Sequence, residues 1–258
     1  MSGKHEAVVA RQFGSQASAY LTSAVHAQGA EFERLRTMLS ARTDASLAPA
    51  RVLDLGCGAG HVSFQVAPLA GEVVAYDLSP DMLAVVADTA AARGLGNVTT
   101  QQGAAERLPF ADASFDAVFS RYSAHHWSDL AQALREVRRV LRPGGLLAFV
   151  DVALPGRPLL DTYLQTAEVL RDNSHVRDYS AGEWLQQCAE AGLRVEGHAM
   201  QRLRLEFTSW VERMRTPEVY RAAIRQFQSA VGEEVREYFE IEEDGSFSTD
   251  VIVLWGRR

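Results

Sequence analysis

Two acids that end short apolar runs are the residues of this chain best placed to do chemistry. Asp54 belongs to Arg51-Val52-Leu53-Asp54-Leu55, directly before the glycine cluster Gly56-Cys57-Gly58-Ala59-Gly60. Asp77 closes Glu72-Val73-Val74-Ala75-Tyr76-Asp77, 17 residues after Gly60. A carboxylate in an apolar strand costs free energy unless it meets a cation or hydrogen-bond donors. Either a ligand or the adjoining loop has to supply them. Glycines after a buried strand let the chain turn sharply and bring bare backbone close to a ligand. An acid at the end of the next strand suits two hydrogen bonds to the hydroxyls of a ribose lying across the strand ends; the plain alternative is a helix cap. The pair points to a nucleoside, and one that carries a positive amino group would suit Asp54. The glycine spacing is G-x-G-x-G, not the G-x-G-x-x-G of dinucleotide-binding enzymes, so a nicotinamide cofactor is disfavoured.

A second group lies in Ser120-Arg121-Tyr122-Ser123-Ala124-His125-His126-Trp127. Imidazole titrates near neutral pH, so His125 and His126 are candidates for a general base or for orienting a substrate. Adjacent histidines in an extended loop are expected to point in opposite directions, which leaves one facing a pocket. His126 is favoured, because Trp127 should begin the next helix and fix its direction. The competing reading ties one ring to the backbone and leaves the other at a rim. No H-x-x-x-H or Cys/His ligand spacing is present, so no metal is expected.

The elements that must hold these residues alternate between strand and helix. Apolar strands are expected at 51–55, 72–77, 97–101, 115–120 and 146–152, with helices between them. Ser79-Pro80-Asp81 starts one helix with a hydroxyl cap, proline at its first position and an acid in its first turn. Ser128 can cap another, whose apolar face is Leu130, Ala133, Leu134, Val137, Val140 and Leu141. That rhythm is the mark of an α/β fold with right-handed βαβ units in a doubly wound, mostly parallel sheet. Beyond residue 152 come helices at 159–170 and 181–191 and a strand at 194–207. A helical stretch at 210–239, interrupted at Pro217, and a last strand at 249–255 follow. The division expected is an N-terminal helical cap over 1–46, a nucleoside-binding core over 47–152, and 153–258 completing the core with helical insertions. If the sixth strand is parallel, both insertions leave the carboxyl edge of the sheet, where ligands of open α/β sheets bind. They would then cover that mouth as a mostly apolar chamber, with Tyr20, Tyr163, Trp210 and Tyr220 as its aromatic content.

The glycine segment resembles motif I of the class I S-adenosylmethionine (SAM) methyltransferases, D-x-G-x-G-x-G, with Asp54, Gly56, Gly58 and Gly60 all matching. Gly103-Ala104-Ala105-Glu106-Arg107-Leu108-Pro109-Phe110 is similar to the G-D-A-E-x-L-P-F segment of the UbiE/YafE-like group. Ser120–Trp127 is similar to the S-R-x-x-x-H-H-[FW] segment of that group, and Val140–Gly145 to its V-L-[KR]-P-G-G turn. The resemblance spans roughly 48–152 and implies a seven-stranded Rossmann-like sheet. It implies SAM as cofactor and S-adenosylhomocysteine (SAH) as product, with the loop from Gly56 through Cys57 and Gly58 to Gly60 around the methionine moiety. Asp77 would hold the ribose, and Leu78 and Met82 would offer apolar surface to the adenine. Ala104, Ala105 and Glu106 would surround that ring, although Ala104 replaces the usual aspartate and withdraws an acceptor for the adenine amino group. Ser120 would lie under the methionine end. Phe13-Gly14 and Tyr20 are similar to an N-terminal F-G-x-x-A-x-x-Y segment, so Tyr20 would close the site and orient substrate. A plain apolar helix face explains that spacing equally well. The implied reaction is in-line methyl transfer to a small organic acceptor. A non-catalytic SAM-binding role and a macromolecular acceptor are the alternatives.

Composition narrows the partners. A formal charge of −7 over 258 residues argues against a nucleic-acid surface. No N/D-P-P-Y/F motif follows the fourth strand. Two cysteines form no disulfide framework. No signal-peptide core and no membrane-length apolar run is seen, so a cytoplasmic protein without a membrane partner is expected.

Overall fold

The structure, a computed structural model, describes residues 2–14, 31–41 and 50–258. One sheet organises them. Its strands are β1 (Arg51–Leu55), β2 (Glu72–Asp77), β3 (Val98–Gln102), β4 (Phe115–Arg121), β5 (Leu141–Leu154), β6 (Tyr179–Ser180), β7 (Arg194–Leu205) and β8 (Phe247–Arg257). Their order is β3-β2-β1-β4-β5-β8-β7, with β6 paired to β5 off that path. Strands β1 to β5 pair in parallel, whereas β8 runs antiparallel to both β5 and β7. The sixth long strand, β7, is therefore parallel to the first five, as the insertion argument required. The sheet has eight strands and not seven. The extra one is a two-residue piece that pairs with Ala153 and Leu154 as the chain returns from its first insertion.

Period-2 patterning builds a core on each face. Leu53, Val74 and Val118 point to one side, under α5 (Leu130–Val140) and α7 (Ala181–Glu190). Val52, Val73 and Ala117 point to the other, under α2 (Glu31–Ser40) and α3 (His61–Val66). Helix α4 (Pro80–Ala92) packs beside them through Leu83, Val86 and Ala90. It starts as its sequence demands, with Ser79 Oγ accepting the Met82 amide and Pro80 in the first turn. Helix α5 starts later than expected: Asp129 accepts the Gln132 amide as its cap, so Ser128 is not the cap and Trp127 lies before the helix.

The insertions form a core of their own beyond the carboxyl ends of β5 and β7. Helices α6 (Pro158–Arg171), α8 (Phe207–Arg213), α9 (Glu218–Ala230) and α10 (Glu233–Tyr238) meet there around Leu160, Tyr163, Trp210, Ile224 and Phe239. The stretch 210–239 is thus broken twice, at Pro217, which caps α9, and again at Val231-Gly232. Two of the aromatic residues expected over the mouth lie elsewhere. Tyr163 is buried inside this core, stacked on Phe227 at 5.3 Å, and Tyr220 is 46 % exposed. An aromatic ring on an inserted helix is first claimed by the helix's own packing. Tyr20 lies outside the described residues. Helix α1 (Ser2–Gly14) packs against α4.

Trp184 of α7 is fully buried and stacks on Phe149 of β5 at 5.3 Å. It touches neither cavity described below. Trp184→Ala should lower unfolding free energy by about 3–5 kcal/mol, the cost of emptying so large a core site. A urea titration followed by circular dichroism reads this directly.

Candidate active site

A cavity of about 980 Å³, partly open to solvent, lies outside the carboxyl ends of β1, β2 and β4. This is where the strand order reverses, the usual ligand position of a doubly wound sheet. Its walls begin with the glycine loop. Gly56, Gly58 and Gly60 all have left-handed backbone, with φ of 69°, 50° and 85°. A side chain at Gly56 would strike Ser123 Oγ at 1.8 Å, whereas one at Gly58 would stand in open space. The Gly56 and Cys57 amides both donate to the Tyr76 carbonyl, which holds the loop against β2. Gly60 itself does not line the cavity; it turns the chain into α3.

Asp54 needs no ligand to satisfy it. Its Oδ2 accepts the Ser63 amide at 2.9 Å and the Ser63 hydroxyl at 2.6 Å, from the first turn of α3. Burial still pushes its carboxyl up to about 7, an effect these two bonds only partly offset. Asp77 has one donor on each oxygen, Gly58 N at 2.8 Å and Ser79 N at 2.9 Å. Burial raises its carboxyl, and those backbone donors oppose the shift. Each oxygen keeps acceptor capacity toward the cavity.

Leu78, Met82, Ala105, Glu106 and Cys57 line the cavity with Asp54 and Asp77; Ala104 and Ser120 do not. The Ala104 side chain is buried, and its carbonyl accepts the Tyr76 hydroxyl at 3.2 Å. Ser120 is buried in β4, and the wall there is made by the following residues, Arg121, Tyr122 and Ser123. Strand alternation explains the difference, since a residue and its successor face opposite sides. Glu106 is not a free loop acid. Its Oε1 accepts the Ser128 and Asp129 amides at 2.8 and 3.2 Å, which fixes the loop after β3 to the start of α5.

His5, Glu6, Val9 and Phe13 of α1 roof the cavity. Phe13 belongs to a segment the sequence marks; His5, Glu6 and Val9 carry no motif, and nothing local shows what their helix covers. Arg121 forms a buried ion pair with Glu31 of α2 at 2.7 Å, each side chain 4 % exposed. Only the fold brings those two together.

A second cavity, of about 570 Å³, adjoins the first; Phe13, Tyr122 and His126 line both. Tyr122 has φ of 52°, strained backbone for a residue with a side chain. Helix α6, the end of β7 and α8 close the far side through Glu168, Leu205 and Trp210. The histidines behave differently from expectation. They sit in a single 3₁₀ turn, Ala124–His126, not in an extended loop, so their rings lie together with centroids 4.1 Å apart. Both line the second cavity. His125 Nδ1 donates to Asp151 Oδ1 at 2.6 Å. Burial lowers its affinity for a proton, but the Asp151 carboxylate more than reverses this and brings it to about 9. His126 Nδ1 donates to the Ser174 carbonyl at 3.1 Å, and its Nε2 is 3.9 Å from Asp172 Oδ2. Burial, with the charge of His125 beside it, lowers His126 to about 4. Near neutral pH one ring is thus an imidazolium and its neighbour a neutral imidazole. No group of side chains suited to a metal ion occurs among the described residues, and among them no helix is long and apolar enough to cross a membrane.

A methyltransferase domain model matches residues 53–149. YafE of Escherichia coli strain K12 is 54 % identical over 199 residues, 77 % of this chain and 96 % of YafE. YcgJ of Bacillus subtilis strain 168, described as an uncharacterized methyltransferase, is 38 % identical over 205 residues, 80 % of this chain and 79 % of that one. The crystal structure of YcgJ superposes with a TM-score of 0.81 at 35 % identity, covering 88 % of this chain and 98 % of YcgJ. A shorter match, 40 % identical over 121 residues, covers 44 % of this chain and 47 % of the ubiquinone/menaquinone biosynthesis C-methyltransferase UbiE of Ectopseudomonas mendocina. With this sheet order and these matches, the chain belongs to the class I SAM-dependent methyltransferases of the YafE/YcgJ-like group and is a methyltransferase.

Proposed function

We propose that the protein holds SAM in the larger cavity and methylates a small organic acceptor seated in the adjoining one. The observation that carries this reading is the wall shared by the two cavities, made of Phe13, Tyr122 and His126. The larger cavity fits a nucleoside with an amino-acid tail. Its volume of about 980 Å³ is within the range of small-molecule sites. Asp77 offers a free lone pair on each oxygen for a ribose, and Gly58 leaves bare backbone where a side chain would intrude. Leu78 and Met82 supply apolar surface on the adenine side, with Ala105 and Glu106 opposite. The backbone of Ala104 is committed to Tyr76 and its side chain has no carboxylate, so adenine recognition falls to its neighbours.

SAM supplies an electrophilic methyl group on a sulfonium, which leaves the protein to align the acceptor and keep water out. The second cavity, of about 570 Å³, is of a size for a small acceptor, and the ubiquinone/menaquinone biosynthesis C-methyltransferase among the relatives agrees with that class. His126, neutral and with Nε2 not engaged by the Ser174 bond, is placed to take a proton from an ionising acceptor, with Asp172 to stabilise the cation formed. His125 is already charged and bound to Asp151, which makes it a donor to the acceptor and not a base.

Three outcomes follow from this assignment. Asp77→Ala should weaken SAM binding by about 1.5–3 kcal/mol, the range for charge-assisted hydrogen bonds; calorimetry showing unchanged affinity would remove Asp77 from the ribose site. A panel of phenols, amines, carboxylates and quinols should yield an acceptor. With it in hand, His126→Ala should lower turnover by roughly 10²–10⁴-fold at saturating SAM if it is the base. Equal turnover would leave alignment alone as the mechanism. The His125 ring should titrate near 9 by nuclear magnetic resonance, and below its ordinary 6.5 in Asp151→Asn. Its folded value is raised, so the stability it lends is full below about pH 6.5 and is lost as pH rises through 9.

A further inference from the structure

The polar end of the second cavity holds carboxyl groups that are unequally provided for. Asp151, behind the wall and not part of the cavity lining, receives His125 Nδ1 and the Val152 amide, at 2.6 and 2.9 Å. Asp172 receives the Ser174 amide and hydroxyl, at 2.8 and 2.6 Å. Glu168 faces Arg171 at 3.3 Å. Asp178 lines the same cavity, is 1 % exposed, and has no hydrogen-bond partner on either carboxyl oxygen among the described residues. The His175 Nε2 stands 3.8 Å from Asp178 Oδ2, too far to bond, and is engaged with Gln165 Oε1 at 2.7 Å. The backbone of Asp178 is tied down: its carbonyl accepts Gln165 Nε2 at 2.9 Å and its amide donates to Gln165 Oε1 at 3.4 Å. The segment is held in place while its side chain is left bare. A buried carboxyl without donors is costly, and folded proteins keep few of them.

We propose that Asp178 anchors the methyl acceptor, which carries a hydroxyl or ammonium group that donates to this carboxyl at the end remote from the methylated atom. This rests on the reading of the second cavity as the acceptor site. Val152, Leu203, Leu205 and Trp210 also line this cavity and offer apolar surface to the body of the acceptor. Burial and the neighbouring charge of Glu168 raise Asp178, with the His125 charge opposing them, so its ionised form is disfavoured while no cation meets it. A hydroxyl then needs only its lone pair, whereas an ammonium brings the countercharge for its ionised form. Asp178 is a specificity-determining residue on this account, remote from the transferring methyl.

The test uses the full chain loaded with SAH and two matched pairs of probes: hydroquinone against 4-methoxyphenol, and tyramine against 4-ethylphenol. The second member of each pair keeps the ring but lacks the far donor. Calorimetry should show at least one donor-bearing probe binding about tenfold more tightly than its partner, a difference of about 1.4 kcal/mol. Asp178→Asn, which keeps a carbonyl acceptor but no charge, should retain discrimination for hydroquinone and lose it for tyramine. Asp178→Leu should lose both. The ligand-free Leu and Asn variants should melt no lower than wild type, because a merely structural carboxyl would be missed and this one is not. Absence of discrimination in wild type, retention of it in Asp178→Leu, lowered melting in both variants, or failure of all four probes to bind overturns the proposal. SAH affinity should be the same in all three proteins; its absence in wild type would instead overturn the cofactor reading.

Discussion

A buried carboxylate must be satisfied from somewhere, and in this protein the solution fixes the geometry of everything at the strand ends. Asp54 leaves β1 facing inward and takes both the amide and the hydroxyl of Ser63. Those bonds close the glycine loop into a ring of set length, because its two ends are held by one carboxylate oxygen. The Gly56 and Cys57 amides then reach the Tyr76 carbonyl, and the Gly58 amide reaches Asp77. Two adjacent parallel strands and the helix after the first become one rigid rim. The acid that looks from sequence like a ligand contact thus works first as the clasp that shapes the ligand's cradle, a task that in an apolar strand end only a paired acceptor can perform.

The fold was legible because parallel strands buried on both faces read as apolar runs, and because the helices between them announce their ends. Ser79-Pro80 and Gly94 mark one helix; Gly192 marks the end of another. The rim of the larger cavity was legible for the same reason: glycine spacing and two acids at strand ends are local signals. Legibility fails where position depends on distant segments. Ser128 and Asp129 are equally good caps by type; Asp129 is the one that accepts the Gln132 amide, while the distant Glu106 takes the amides of both. Ser120 and Arg121 differ by one step of strand alternation, which decides which of them meets the cavity. The histidine pair was misread as extended because nothing in Ala124-His125-His126 forbids a 3₁₀ turn. The bond from the Val176 amide to the His125 carbonyl, across 51 residues, helps hold it. Asp178 carries no motif at all. Its bareness is a property of the packed structure and can be seen only there.

The cap illustrates a division of labour among aromatic residues. Tyr163, Phe227 and Phe239 are spent on holding the inserted helices together. Of the expected rings among the described residues, Trp210 alone meets the second cavity. It does so edge-on to Phe247 at 5.0 Å and with the Arg171 guanidinium 4.9 Å from its centroid. A ring held from two sides is rigid, which suits a wall that holds a small body in one orientation.

Helix α1 lies over both cavities through Phe13 and is tied down by His5 within 3.3 Å of the His126 carbonyl, by Glu6 to Arg107 at 3.4 Å and by Gln12 to the Met214 carbonyl at 2.9 Å. A roof common to two guests makes them thermodynamic partners. Any free energy one guest gains by settling the roof is free energy the other no longer has to find, and the debt is equal in both directions. On the proposed assignment of the two cavities, the affinity of the acceptor is then linked to that of the cofactor, with no contact between acceptor and sulfur required.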